Sequence, residues 1–76
     1  MRYNYDSVTY ATLYDIAHSD RELGKLFVRN SANRKLLEKL RKEGYIKIER
    51  YNKKTFYGNY IQVRITESGI EYLKSC

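Results

Sequence analysis

The stretch Ser31–Ile48, SANRKLLEKLRKEGYIKI, changes its hydrophobic period at Gly44. Before the glycine, apolar residues recur every three or four positions, which is the period of a helix. After it, two isoleucines alternate with charged residues, which is the period of a strand. Glycine is typical just past a helix end, and serine caps a helix start well. The stretch therefore predicts a helix over about residues 32–43, capped by Ser31, with Ala32, Leu36, Leu37 and Leu40 facing inward.

A second alternating segment downstream supplies a partner for the strand that begins at Ile46. Ile61, Val63 and Ile65 alternate with polar residues, and two such runs around a turn-rich stretch predict a hairpin. A register that pairs Ile48 with Val63 and Ile46 with Ile65 places every buried residue on one face.

The same register makes two further predictions about the hairpin. It sets Tyr51 opposite Tyr60, a favourable aromatic cross-strand pair. It also leaves Asn52–Asn59 as a long polar connection that contains Lys53 and Lys54.

Helical patterns flank this central unit on both sides. Ser7–His18 has apolar residues at helical spacing, with Ser7 or Asp6 available as a cap. Ser19 followed three residues later by Glu22 is a capping-box pattern, which predicts a short second helix to about Phe27. The segment from Thr66 to Gly69 predicts the start of a last helix, in which Ile70, Tyr72 and Leu73 face inward.

The size of the chain allows one domain over residues 1–76 and one thin core. No apolar run approaches the roughly 20 residues that cross a bilayer, and the first ten residues lack an apolar signal core. We therefore expect a soluble cytoplasmic protein without a membrane partner. The single cysteine, Cys76, and the scattered glycines predict no metal site, no cofactor and no catalytic machinery. We expect a protein that is not an enzyme and has no evident small-molecule ligand.

The charge of the chain is concentrated in one segment. Arg29–Lys54, called the basic segment below, holds ten Lys or Arg residues against three Glu residues, a net charge of +7. The rest of the chain is close to neutral. A one-sided excess of this kind indicates a surface that binds a polyanion, although a solvated surface that only aids solubility has the same composition.

Three helices followed by a hairpin and a final helix make an α+β layout, and its motifs resemble those of winged helix-turn-helix proteins. LLEKLRKEGYI (36–46) is similar to a recognition helix that runs into the first strand of a wing, and ITESGIEYL (65–73) is similar to the segment that closes the wing in MarR- and PadR-like repressors. ELGKL (22–26) resembles their second helix. This resemblance implies a small transcriptional regulator, a repressor by analogy, that binds double-stranded DNA in a sequence-specific way.

The major groove admits one helix, and the N-terminal half of a recognition helix usually reaches the base edges. We therefore predict DNA contacts from the outward residues of the helix and its cap, which are Asn30, Ser31, Asn33, Arg34, Lys35, Arg41 and Lys42. From the wing we predict contacts by Arg50, Lys53 and Lys54, with Tyr57 as a further candidate. Glu38 either reads a cytosine or pairs with Lys42 or Arg34.

A single winged helix reads only a few base pairs, so we expect a homodimer on a symmetric site. The candidate interface lies outside the basic segment and comprises Tyr3, Tyr5, Tyr10, Ile70, Tyr72 and Leu73. A disulfide through Cys76 is an open question, and a monomer in which these tyrosines complete the core is the alternative. Two other functions stay open: a protein-interaction module, and DNA binding in replication or partition. The charge favours nucleic acid over the protein module.

Overall fold

The computed structural model describes residues 6–20 and 22–75. The elements in chain order are α1 (Ser7–Ala17), β1 (Lys25–Val28), α2 (Ser31–Lys42), β2 (Ile46–Thr55), β3 (Gly58–Ile65) and α3 (Glu67–Ser75). Within the described residues this is a small α+β domain with three helices and one three-stranded antiparallel sheet. The strand order is β1–β3–β2, so β3 lies in the centre.

Helix α1 begins where the sequence predicts it, and Asp6 is the cap. The Asp6 carboxylate accepts a hydrogen bond from the Val8 amide at 3.1 Å and another from the Thr9 hydroxyl at 2.9 Å. Leu13 and Ile16, three residues apart, are buried and turn one side of the helix toward the core. Helix α1 therefore covers the sheet, and it also contacts α3.

The prediction of a second helix from Ser19 to about Phe27 is wrong. The Ser19 hydroxyl donates to the Ile16 carbonyl oxygen, so it closes α1 and does not cap a new helix. The Asp20 carboxylate accepts from the amides of Glu22 and Leu23, and the Gly24 amide donates to the Asp20 carbonyl oxygen at 2.8 Å. These bonds form a tight turn in place of the first helical turn, because an aspartate competes well for nearby backbone amides.

The residues after this turn form strand β1, which pairs with β3 from Lys25↔Val63 to Val28↔Tyr60. Gly24 has a φ of +77°, and a Cβ there would collide with the Val63 carbonyl oxygen. The glycine thus lets the turn close against β3. Helix α2 is consequently preceded by a strand, and the predicted helix-turn-helix pair is absent from this described segment.

Helix α2 confirms the predicted helix, with a small shift of its start, but the prediction that Ala32 faces inward is wrong because Ala32 is exposed. Asn30, and not Ser31, is the cap: its side-chain oxygen accepts from the Asn33 amide at 2.8 Å. Gly44 follows the helix with a φ of +85°, a conformation that favours glycine. Leu37 and Leu40 are fully buried and fix which side of α2 faces the solvent.

The hairpin confirms the predicted pairs Ile46↔Ile65 and Ile48↔Val63. The predicted pair of Tyr51 with Tyr60 is wrong, because β2 carries one extra residue at each of two register shifts. Tyr60 therefore lies opposite Lys53. Such bulges bend a strand and increase its twist.

The predicted long connection over Asn52–Asn59 is also wrong. Strand β2 continues to Thr55 and β3 begins at Gly58, which leaves only Phe56 and Tyr57 in the turn. The hairpin is therefore an extended arm, and the residues from Arg50 to Tyr60 are called the hairpin arm below.

Helix α3 begins as predicted at Thr66, whose hydroxyl oxygen accepts from the Gly69 amide at 3.2 Å. Gly69 is buried, and a Cβ at this position would collide with the Tyr45 carbonyl oxygen, so α3 packs directly on the junction between α2 and β2. Within the described residues, no helix has the length and hydropathy needed to cross a membrane. The buried core draws on all three helices and on β2 and β3; it comprises Leu13, Ile16, Leu37, Leu40, Ile46, Ile61, Val63 and Tyr72.

Candidate nucleic-acid interface

The exposed side of α2 carries cations that form no salt bridge with a described acid. Arg34, Lys35 and Lys42 are exposed, and none of the three forms a salt bridge with another described residue. Ser31, Arg34, Lys35 and Glu38 line one shallow depression along the helix. Because Leu37 and Leu40 hold the opposite side in the core, this charged side stays presented to the solvent.

The two asparagines predicted to contact bases are engaged in positioning the start of α2. Asn30 caps the helix, and the Asn33 side-chain amide donates to the Val28 carbonyl oxygen at 2.8 Å. The second bond joins α2 to the end of β1. The sequence analysis missed this structural role, although asparagine at a helix start is a recognised capping signal.

Glu38 pairs with Arg41, and the predicted pairing with Lys42 or Arg34 is wrong. The Arg41 guanidinium lies 2.9 Å from a Glu38 carboxylate oxygen, and the Tyr51 hydroxyl from strand β2 donates to the other carboxylate oxygen at 2.5 Å. The pKa of Glu38 is held below its usual value by the bond from Arg41 and then by the bond from Tyr51. The charge of Arg41 is therefore balanced by an acid within the domain.

The bond between Tyr51 and Glu38 joins the arm to the exposed side of α2. On the other side of Tyr51, the Arg29 guanidinium donates to the Tyr51 carbonyl oxygen at 3.2 Å. The bulged part of β2 is thus held from two directions. The sequence analysis missed this contact because it depends on the two register shifts, which the alternation of apolar residues does not reveal.

The three cations predicted on the wing fall at different positions on the arm. Arg50 lies at the bulges opposite Gln62, Lys53 is half-buried opposite Tyr60, and Lys54 is exposed opposite Asn59. Consecutive strand residues point to opposite faces of a sheet, so Lys53 and Lys54 project from different faces. Below the arm, Glu49 bonds Arg64 at 2.7 Å and approaches Lys47 at 3.8 Å, which neutralises part of the sheet charge.

The candidate dimer residues are distributed differently from the prediction. Tyr72 is only 3% exposed, its ring lies 5.0 Å from that of Tyr45, and its hydroxyl accepts from the Asp6 amide at 3.3 Å. The prediction that Tyr72 faces a partner is therefore corrected, because its ring belongs to the core. Tyr10 and Leu73 also pack against the core, whereas Ile70 is 39% exposed. Tyr3, Tyr5 and Cys76 lie outside the described residues.

No family model, no curated protein and no solved structure matches this chain. Among the described residues, no group of three or more potential metal ligands is close enough to hold an ion. The described surface offers a side of α2 that carries exposed cations, and an arm with further cations that is joined to this side by the hydrogen bond from Tyr51 to Glu38.

The contact between Tyr51 and Glu38 makes a prediction about ionisation. The bond to the Glu38 carboxylate raises the pKa of Tyr51, since losing the phenolic proton would place two negative charges together. Its stabilising effect is complete below pH 10, the ordinary value for tyrosine, and is lost as the pH rises through the raised value. The effect on Glu38 has the opposite sign, and is lost as the pH falls through its lowered pKa.

We expect Glu38→Gln to return the pKa of Tyr51 toward that of ordinary tyrosine. The measurement is a pH titration of the ring carbon that bears the hydroxyl, by NMR of tyrosine-labelled protein, with Tyr51→Phe assigning the resonance. An unchanged Tyr51 titration in Glu38→Gln would show that the hydroxyl does not bond this carboxylate in solution.

Proposed function

We propose that this chain binds double-stranded DNA through the exposed side of α2, with the hairpin arm making further contacts, and that it acts as a transcriptional regulator in the cytoplasm. The observation that carries the proposal is the set of exposed cations Arg34, Lys35 and Lys42 on one side of α2, none of which forms a salt bridge with a described residue. Helix α2 has 12 residues and is about 18 Å long, and the major groove is about 12 Å wide and accepts one helix.

The arrangement around α2 supports the same reading. A helix followed by a hairpin, with a third strand joined to β3, is compatible with a winged-helix-like fold. The resemblance of residues 36–46 and 65–73 to MarR- and PadR-like repressors points the same way. In this proposal α2 acts as the recognition helix, although a strand and not a helix precedes it. The hydrogen bond from Asn33 to Val28 of strand β1 holds the start of α2 in place.

The described contacts divide the cations by role. Arg34 and Lys35 lie in the first half of α2 and are free to meet base edges, where an arginine or lysine donates to guanine. Lys42, Arg50 and Lys54 lie farther from that end and suit phosphate contacts, which position a protein without reading sequence. Arg41 contributes less than its charge suggests, because Glu38 already holds it.

The test of duplex binding is the salt dependence of the affinity, measured by fluorescence anisotropy with a labelled duplex. Each phosphate that the protein neutralises adds roughly 0.9 to the slope of log affinity against log salt. We expect Lys53→Ala combined with Lys54→Ala to flatten the slope by about one to two units while sparing sequence preference. Lys74→Ala, on an exposed lysine at the far end of α3, is the matched control and should leave the slope unchanged.

Two outcomes of this titration contradict the proposal. Absence of duplex binding at low salt would favour the protein-interaction module. If the double variant gives the same slope as wild type, the arm makes no phosphate contact, and the part of the proposal that concerns the arm is wrong.

We also propose that two copies bind together on a symmetric site. Ala17 and Ile70 border a depression that no residue of the basic segment lines, and its two charged lining residues, Asp20 and Arg64, have opposite signs. Light scattering in reducing buffer is expected to give about twice the chain mass of 9.1 kDa. A mass near that of one chain at micromolar concentration would contradict the dimer, and Ile70→Lys should shift a true dimer toward that lower mass.

A further inference from the structure

Two aromatic rings at the tip of the hairpin arm belong to neither the core nor the cationic side of α2. Phe56 and Tyr57 are 89% and 87% exposed, more than any other large apolar side chain described. Their rings lie 5.4 Å apart, with only 19° between the ring planes. Scattered single apolar residues on a surface are ordinary, but a stacked pair at the end of an arm indicates a contact surface.

The turn that carries the two rings is ordered by its own hydrogen bonds. The Thr55 hydroxyl donates to the Gly58 carbonyl oxygen at 2.9 Å and accepts from the Tyr57 amide at 3.1 Å. Strand pairing continues to Thr55↔Gly58, so the residues on both sides of the tip are held in the sheet. A group held in place before binding loses less conformational entropy when it binds.

The charge around the tip selects the class of partner. No acidic residue lies between Arg50 and Thr66 in the sequence, whereas Lys53 and Lys54 immediately precede the turn. Apolar rings flanked by cations and free of acids suit a polyanion that has an apolar interior open to insertion. A DNA duplex is such a partner, because its phosphates surround stacked bases.

The length of the arm selects the place on the duplex. Tyr51 bonds α2, and Phe56 lies five residue steps farther along the chain, which is about 17 Å of strand. Half a helical turn of DNA is also about 17 Å. With α2 in the major groove, the arm is therefore long enough for its tip to reach the neighbouring minor groove.

We propose that Phe56 and Tyr57 insert as an apolar wedge at one base step of the minor groove beside the major groove that α2 occupies. Lys53 and Lys54 then contact the phosphates that flank the step. Wedges of this kind partly unstack the bases and kink the duplex toward the major groove. This inference rests on the proposed function, because α2 must first set the arm on the DNA.

The experiment places 2-aminopurine, whose emission rises when it unstacks, at successive positions of a duplex of about 20 base pairs chosen from a random pool for binding wild type. We expect emission to rise at one step, to one side of the sequence that α2 reads, and not elsewhere. Phe56→Ala combined with Tyr57→Ala should abolish the rise and weaken binding about tenfold, which equals about 1.4 kcal/mol. Phe56→Leu with Tyr57→Leu, which keeps apolar bulk, should retain part of the rise.

The controls separate failure of the wedge from failure of DNA binding. Both double variants alter only exposed side chains, and circular dichroism checks that they fold. If wild type binds the duplex but emission stays flat and the alanine variant binds equally well, the wedge is wrong and the proposed function stands. If wild type binds no duplex, both are wrong. If the alanine variant loses binding to anionic lipid vesicles but not to the duplex, the tip serves a membrane surface and the wedge is wrong.

Discussion

Leu40→Ala is expected to remove much of the stability of this domain. Leu40 is 0% exposed and lies in a core to which eight of the described residues contribute buried apolar side chains. Replacing a buried leucine by alanine costs about 2–5 kcal/mol, from lost burial and from the cavity left behind. A chain of 76 residues has a total stability of only about 4–11 kcal/mol.

The measurement for Leu40→Ala is urea unfolding followed by circular dichroism. Leu23→Ala is the matched control, because Leu23 is 43% exposed in the turn before β1 and should tolerate the change far better. Equal losses in the two variants would mean that Leu40 does not face the core. Helix α2 would then be rotated, and Arg34 and Lys35 would not lie on its solvent side.

Arg34→Ala is expected to weaken binding to the preferred DNA site by about 1–3 kcal/mol, which is about 5- to 150-fold. The physical reason is the loss of a two-pronged hydrogen bond to guanine in the major groove. Arg34 is exposed and forms no salt bridge within the described chain, so the substitution leaves no acid unpaired. The preference of the protein for one base at a single position of the site should also weaken.

Arg34→Lys tests the role of Arg34 at constant charge. A lysine keeps the attraction to phosphate but loses the planar fork of the guanidinium, so a base contact suffers and a phosphate contact largely does not. Competition binding with selected and random duplexes separates the two. Equal losses on both duplexes in Arg34→Ala, with Arg34→Lys like wild type, would show that Arg34 only holds phosphate.

The alternation of isoleucines and valines predicts correctly which residues pair at the base of the hairpin. Ile46, Ile48, Val63 and Ile65 must all face the core, and a shift of one residue would expose them. Beyond Ile48, strand β2 contains no buried residue that would constrain its pairing, and there it has its two bulges. The pairing of Tyr60 with Lys53 and the bond from Tyr51 to Glu38 therefore depend on tertiary contacts.

The second helix was mispredicted for a related reason. Ser19, Asp20 and Glu22 fit a capping box, but the Asp20 carboxylate and carbonyl oxygen close a turn with the same backbone groups. The residues from Lys25 to Val28 then pair along their whole length with β3. This pairing is a long-range contact that the local sequence pattern does not predict. Of the candidate interface, the sequence identified the cations of α2 and the arm, but not the fixed positions of Asn33 and Arg41.

The central claim is that the exposed side of α2 and the hairpin arm meet duplex DNA together. The most direct test is to titrate labelled protein with a selected duplex and follow every backbone amide by NMR. We expect the largest shifts over residues 30–35 and 53–58, with small shifts along α1 and α3. Shifts confined to α1 and α3, or none at low salt, would contradict it.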